Sequence, residues 1–350
     1  MKIRALKYAT PVILYALAWI AFTQRGWLTW IPLFEAWIFI PILELLIRPN
    51  PRNLPEAEEQ MAKEDPVYDW LLYMVVILQF AALFYFFKAI AEPGLKGWEI
   101  TGRIFSMGLL CGTFGINVAH ELGHRVNKVE KALAKSLLLT SLYMHFFIEH
   151  NKGHHKHVAT HNDPGSARYN EPVYIFYLRT IMFSWLSAWR IANEEMKKKG
   201  IPVFGWQNEM LQMQIIQLAF LAIIFNVYGW ITLLYFFAAS LIGICLLEAV
   251  NYIEHYGLSR KQTGDGKYER AMPWHSWNSN HLVGRIMLFE LSRHSDHHYM
   301  ASRKYQVLRH HDDAPQLPTG YPGSILLAMI PPAWFYVMNK KVRKLNAAKH

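Results

Sequence analysis

The sequence predicts an all-α integral membrane protein of one domain (1–350), with six transmembrane helices and a cytoplasmic-side helical cap that carries a histidine-rich site for two metal ions. Three observations predict it. The chain is 53% hydrophobic, yet its mean hydropathy is only +0.07, so very apolar segments must alternate with very polar ones. Six apolar runs recur, each close to the roughly 20 residues that a helix needs to cross a bilayer core. Four histidine sets border these runs: His120/His124, His150/His154/His155, His255, and His294/His297/His298.

Residues 1–7, MKIRALK, are basic and 8–24 are apolar. A signal peptide starts this way, but a second apolar run at 28–47 follows with no small-residue cleavage site between the two. The pair therefore reads as a helical hairpin turning at Gln24-Arg25-Gly26. A polar linker rich in proline and glutamate follows, from Arg48 to Asp65. The third and fourth spans, 69–88 and 100–119, are separated by a loop containing Pro93-Gly94. The last two, 208–227 and 230–250, turn at Tyr228-Gly229. Glu35, Glu44, Arg103 and Glu248 lie inside these runs and predict sides that face protein and not lipid. Shorter apolar stretches at 132–148, 172–189 and 324–338 read as interfacial or packed helices.

Lysine and arginine set the orientation. With the N-terminus inside, only Arg25, Lys88 and Lys96 fall in outside turns and Arg103 within a span; every other Lys and Arg lies in 1–7, 48–68, 120–205 or 255–350. The positive-inside rule then places both termini in the cytoplasm, as expected for a multi-pass protein of a bacterial inner membrane. His120, ending the fourth span, and His255, after the sixth, come to the same cytoplasmic face.

Composition excludes several functions. Two cysteines, Cys111 and Cys245, both within apolar runs, allow neither a disulfide framework nor a cysteine metal site; they read as buried thiols. The chain therefore lacks a rubredoxin-like or ferredoxin-like centre of its own, since these need four cysteines. A formal charge of +10 suits nucleic acid, anionic lipid or an acidic protein, and the apolar runs favour membrane lipid over nucleic acid.

On an α-helix His120 and His124 share a face, as do His150 and His154, and His294, His297 and His298. Neutral imidazole suits iron, copper, zinc and nickel. A single ion takes three or four protein ligands, so these nine imidazoles are too many for one and suit two. Each set carries an acid, Glu121, Glu149, Glu254 or Asp296, of the kind that holds the second ring nitrogen of a bound histidine. His145, His157, His161, His310, His311 and His350 read as surface or interfacial, and His275 and His281 are undecided. HELGH also fits the HExxH zinc-protease pattern, but that would leave the other clustered histidines idle. A carboxylate-bridged site needs two Glu-x-x-His units, and only Glu121-x-x-His124 is present.

The motifs HELGHR, EHNKGHHKHVAT, NYIEHYGL and RHSDHH, with the tail LPTGYPG, resemble those of the integral-membrane alkane 1-monooxygenases (alkane hydroxylases) of the membrane fatty acid desaturase/hydroxylase superfamily. The similarity runs from the fourth span to residue 325. Arg125, Ser292 and Tyr299 depart from the family's usual Lys, Gln and Ala. The resemblance implies a non-heme di-iron centre of two Fe ions, with His120, His124, His150, His154, His155, His255, His294, His297 and His298 as ligands. It implies hydroxylation of the terminal carbon of medium- or long-chain alkanes to 1-alkanols with O2. No catalytic side chain beyond the ligands and no organic cofactor is expected. Xylene monooxygenases, which hydroxylate methyl groups of alkylaromatics, and fatty-acyl hydroxylases or desaturases are the alternatives, and a metal transporter or sensor is the non-enzymatic one.

Electrons must come from outside the chain, from a separate rubredoxin or ferredoxin with its reductase, and a small acidic donor suits the basic face. An alkane offers no polar handle, so an apolar channel must select it. The aromatic stretches Trp37-Ile38-Phe39 and Phe80 to Phe87 are the candidate linings.

Overall fold

The computed structural model describes residues 2–348, so His350 lies outside the described residues. Among those described there is no β-strand, only isolated bridges between Gln262 and Tyr268 and between Asn278 and Gln316. Among the described residues, four helices are long and apolar enough to cross a membrane: α1 (Leu6–Thr23), α2 (Gly26–Leu46), α3 (Val67–Ile90) and a 47-residue helix Glu209–His255. Between α3 and that helix come α4, which is Gly97–Leu110 continued through Cys111–Ile116 to Asn117–Gly123, and α5 (Val173–Lys198). Glu99 and Arg103 sit in the first turns of α4.

The helix Glu209–His255, α6, is broken at Gly229, whose φ of 83° and ψ of 171° leave the helical region. Glycine carries no Cβ penalty at positive φ, which is why the reversal falls there. Phe220, before the break, meets Phe236, after it, with ring centroids 5.9 Å apart. The two arms therefore fold back on each other, as the sequence predicts.

Side-chain contacts fix the register of the bundle. Along α1 and α3, Tyr8 meets Tyr68 and Phe22 meets Phe86, so these helices run in the same direction. Along α2 and α4, Glu99 Oε1 accepts from Gly26 N at 2.6 Å and Ser106 Oγ donates to Thr29 O at 3.1 Å. These two also run in parallel. The second arm of α6 joins them through small residues, with Gly108 facing Ile242 and Gly112 facing Gly243 and Leu246. Consequently α2, α4 and the second arm of α6 deliver Glu44, His120 and His255 toward one end of the molecule.

The charged residues of the apolar runs are turned inward. The buried Arg103 guanidinium donates to the carbonyls of Ala21, Gln24 and Ala89 and to Glu92. Glu44 accepts from Gly284 N at 2.8 Å, and Glu248 accepts from Tyr143, Thr180 and Asn251. Cys111 is buried, but Cys245 is only half-buried, a correction to the expectation of two buried thiols.

Among the described residues, three short π-helical turns interrupt the helices, at Glu35–Phe39, Cys111–Ile116 and His150–His154. Such turns concentrate at functional sites because the extra residue re-aims the side chains around it. Of the weaker apolar stretches, 172–189 lies within α5, which runs on to Lys198 and exposes Leu178, Met182 and Phe183 on one side. The stretch at 324–338 forms α8 (Tyr321–Ala328) and the start of α9 (Pro331–Ala348), and α7 (His294–Tyr299) precedes them.

Candidate metal centre

The nine predicted histidines come together at the shared end of α4 and α6, in two groups. His120, His124, His150, His155 and His297 form one, and His154, His255, His294 and His298 the other; within each group one ring nitrogen per residue lies within 4.8 Å of the rest. Among the described residues, none of the remaining histidines joins either group.

In the five-histidine group, Nε2 atoms face one another: His120 and His297 at 2.8 Å, His124 and His150 at 3.1 Å, His155 and His150 at 3.0 Å, and His155 and His297 at 3.0 Å. In the four-histidine group the Nε2 atoms of His255 and His294 are 3.1 Å apart, and those of His154 and His298 3.2 Å apart.

The partition differs from simple α-helical spacing. His150 and His154, expected on one face, belong to different groups, and His150 instead meets His155. The reason is the π-helical turn His150–His154, in which residues five apart come to the same side. On α7, His294 and His298 (i, i+4) stay together while His297 turns to the other group. One short helix thus supplies both groups.

The donor chemistry fits cations. His154 Nδ1 lies 2.9 Å from Asp163 Oδ2, and the ring of His255 bonds the backbone of His275. A neutral imidazole with its proton on Nδ1 presents a bare lone pair at Nε2. Burial pushes His124 down to about 3 and His120, His150, His155, His297 and His298 well below the usual histidine value, and the neighbouring imidazoles lower them further. His154 differs: burial lowers it, but the Asp163 carboxylate holds it above the usual histidine value. Converging lone pairs of this kind form a ligand set for a soft-to-borderline metal.

The four acids of the motifs take varied positions. Glu254 Oε2 lies 3.2 Å from His294 Nε2, and Glu254 Oε1 accepts from the Tyr321 hydroxyl at 2.5 Å. Glu121 accepts from Arg125 at 2.7 Å and from Tyr305 N at 3.2 Å. Asp296 is gripped by Arg303, by Arg309 N and by His311 Nε2 at 2.7 Å. Glu149 is buried beside Gly153, and burial raises its carboxyl to about 8.

Sequence reasoning missed Asp163, Tyr321 and His311. Asp163 stands in HNDPGS, a turn sequence just beyond the second histidine set, where an Asp reads first as a turn former. Its Oδ1 does accept from Gly165 N, but its other oxygen serves His154.

An apolar cavity of about 70 Å³ lies among α1, α2, α4 and the second arm of α6. Leu14, Ala36, Trp37, Ile40, Leu109, Leu247 and Met287 form much of its wall. Its wall also includes Asn117 and Leu291, three residues before His120 and His294. The aromatic linings expected from sequence need correction. Trp37 is on the wall, but Ile38 and Phe39 are exposed on the outside of α2. Phe86 and Phe87 pack instead against Phe22, Tyr228 and Phe236.

Fold and site together define a histidine-rich, membrane-type helical metalloprotein, and residues 96–324 match the family described as fatty acid desaturase. Within that class the chain is 41% identical over 316 residues to alkane 1-monooxygenase 1 of Pseudomonas aeruginosa, covering 88% of this chain and 81% of the relative. It is 39% identical to alkane 1-monooxygenase of Acinetobacter baylyi, over 87% of this chain and 74% of the relative. The hydroxylase component of xylene/toluene monooxygenase of Pseudomonas putida is more distant, 27% identical over 69% of this chain and 64% of the relative. The chain belongs to the alkane 1-monooxygenase family.

Proposed function

We propose that this enzyme hydroxylates the terminal carbon of medium- or long-chain alkanes to 1-alkanols with O2. The observation that carries the proposal is the apolar cavity whose wall includes Asn117 and Leu291, each three residues before a histidine of the two imidazole groups. A dry channel binds a chain without polar groups by shape and burial alone. A chain lying with one extremity toward Asn117 and Leu291 would bring only that end near the histidines, which would account for terminal selectivity.

Two irons are the proposed metals. His120, His124, His150, His155 and His297 would hold one, and His154, His255, His294 and His298 the other. Bound iron supplies the activation of O2 that no side chain can provide. The chain's own residues do the rest. Asp163 keeps the proton of His154 on Nδ1 so that Nε2 points inward. Glu121, Glu149, Glu254 and Asp296 are proposed as outer partners, with Asp296 bracing α7 through Arg303 and His311. The cavity wall excludes water from the reacting carbon.

The six-span arrangement, with both termini cytoplasmic in a bacterial inner membrane, is supported by the parallel registers of the helices and by the lysine and arginine asymmetry. The electron donor is proposed to be a separate rubredoxin or ferredoxin, because two cysteines cannot build such a centre within the chain. The test is product analysis. Iron-loaded protein in lipid, with a reduced donor, is given n-alkanes and alkylbenzenes, and 1-alkanols are expected from the alkanes. Benzylic alcohols alone would favour the xylene-type reading, and double-bond products the desaturase reading.

A further inference from the structure

One group does not belong in an alkane channel. Glu35 stands on the cavity wall, on the first residue of a π-helical turn, and its Oε2 is shielded from solvent with no hydrogen-bond partner. Two other polar side chains of the wall are engaged: Asn117 Nδ2 donates to Leu288 O at 3.0 Å, and the Tyr321 hydroxyl donates to Glu254. A polar atom buried without a partner is costly, and an n-alkane offers it nothing.

The register of the helices gives the position of Glu35. Thr29 of α2 is level with Ser106 of α4, so Glu35, six residues on, is level with Gly112, which shares the cavity wall. His120 is eight residues further along α4, about 12 Å at the helical rise per residue. Glu35 is thus far from the reacting end but still within reach of a bound chain.

We propose that Glu35 recognises a hydroxyl group at the remote end of a substrate, so that the enzyme also accepts 1-alkanols and hydroxylates their far methyl group. The reaction is HO–CH2–R–CH3 + O2 + 2 e− + 2 H+ → HO–CH2–R–CH2–OH + H2O. One C–H bond breaks and one C–O bond forms, the second oxygen atom leaves as water, and the electrons come from the same external donor. The inference rests on reading the cavity as the substrate channel. It adds that one hydrogen bond at the carboxyl of Glu35 sets the register of an alkanol, leaving its methyl at the histidines. Alkanols of one length should therefore turn over best, since shorter chains cannot reach both ends and longer ones must fold.

The experiment compares full-length wild type, Glu35→Leu and Glu35→Gln in lipid with a reduced donor. Each is given n-alkanes and 1-alkanols of graded length, and alkanols and α,ω-diols are quantified by gas chromatography and mass spectrometry. Wild type is expected to form diols with a maximum at one chain length. In Glu35→Leu the ratio of kcat/KM for alkanol to that for alkane is expected to fall by about tenfold or more, the loss typical of an unmade hydrogen bond in a specificity pocket. In Glu35→Gln, which keeps an accepting oxygen, the ratio should stay within about threefold of wild type. Alkane hydroxylation with an unchanged ratio in Glu35→Leu, or oxidation of alkanols only at their existing hydroxyl, overturns this proposal alone. Failure of wild type to hydroxylate either class overturns the channel reading and this inference with it.

Discussion

Asp163 Oδ2 lies 2.9 Å from His154 Nδ1, and both side chains are buried. The carboxylate is itself held by Ser166 Oγ at 2.5 Å and by Gly165 N at 3.0 Å, so the imidazole it orients has little freedom. Asp163→Asn keeps the shape and removes the strong acceptor. Loss of such a partner costs about 10–100-fold in metal affinity. Dialysis against a graded chelator series, read by elemental analysis, should show Asp163→Asn releasing metal at correspondingly lower chelator. Equal retention by both proteins would remove Asp163 from the site.

Acid should destabilise the metal-free protein. Burial holds His120, His124, His150, His155, His297 and His298 below their unfolded value of about 6.5. Below that pH the unfolded chain takes up protons that the folded chain refuses, so stability falls as pH falls through about 6.5. Each such imidazole adds up to about 1.4 kcal/mol per pH unit to the slope, while Glu149, raised to about 8, and His154, held up by Asp163, act in the opposite direction. With six imidazoles outweighing these, the melting temperature of the apo protein in detergent should be lower at pH 5.5 than at 7.5, about one unit either side of the free imidazole. A flat profile would mean that the rings are solvated.

Gly243 is expected to tolerate no side chain. A Cβ there would lie 2.6 Å from Cys111 Cβ and 3.0 Å from Gly112 N, where α4 and α6 touch backbone to backbone. Gly243→Val forces the helices apart, at a cost of about 1–3 kcal/mol for overpacking. Lowered thermal stability together with reduced metal content would follow, since α4 carries His120 and α6 carries His255. Wild-type stability in this variant would contradict the register assigned to the two helices.

Leu109 lines the cavity eight residues before Asn117, about 12 Å away along the helix. Leu109→Phe should shorten the channel, lowering kcat/KM for the longest alkanes severalfold while the shortest substrates are affected least. Competition assays with mixed chain lengths read this directly. A uniform loss across all lengths would indicate damage to the fold and not a change in the channel.

How much of this was legible in the sequence depends on the range of the interaction. The apolar runs and the break at Gly229 are local signals; the structure forms helices along the runs, four of them long and apolar enough to cross a membrane among the described residues, and breaks at Gly229. The nine histidines announced themselves because metal-ligand spacing repeats within short motifs. Their partition did not, because the turn at His150–His154 is π-helical and nothing in HNKGHH states that. Asp163 was hidden for a different reason: Asp in a turn sequence has a sufficient local explanation. The channel wall was misjudged at Phe80 to Phe87 because aromatic density marks packing as readily as a ligand surface, and only the tertiary contacts with Phe22, Tyr228 and Phe236 decide. Trp37 faces the cavity while Ile38 and Phe39 do not, a difference set by the rotation of α2.

The central claim is that two separate imidazole groups each hold an iron. Metal analysis of purified wild type beside His124→Ala and His294→Ala, with iron spectroscopy on the same samples, tests it most directly. The account predicts two irons per chain in wild type and a selective loss from one group in each variant, with distinct spectra for the iron that remains. A single iron per chain, a different metal in an active preparation, or variants that both keep the full complement would contradict it.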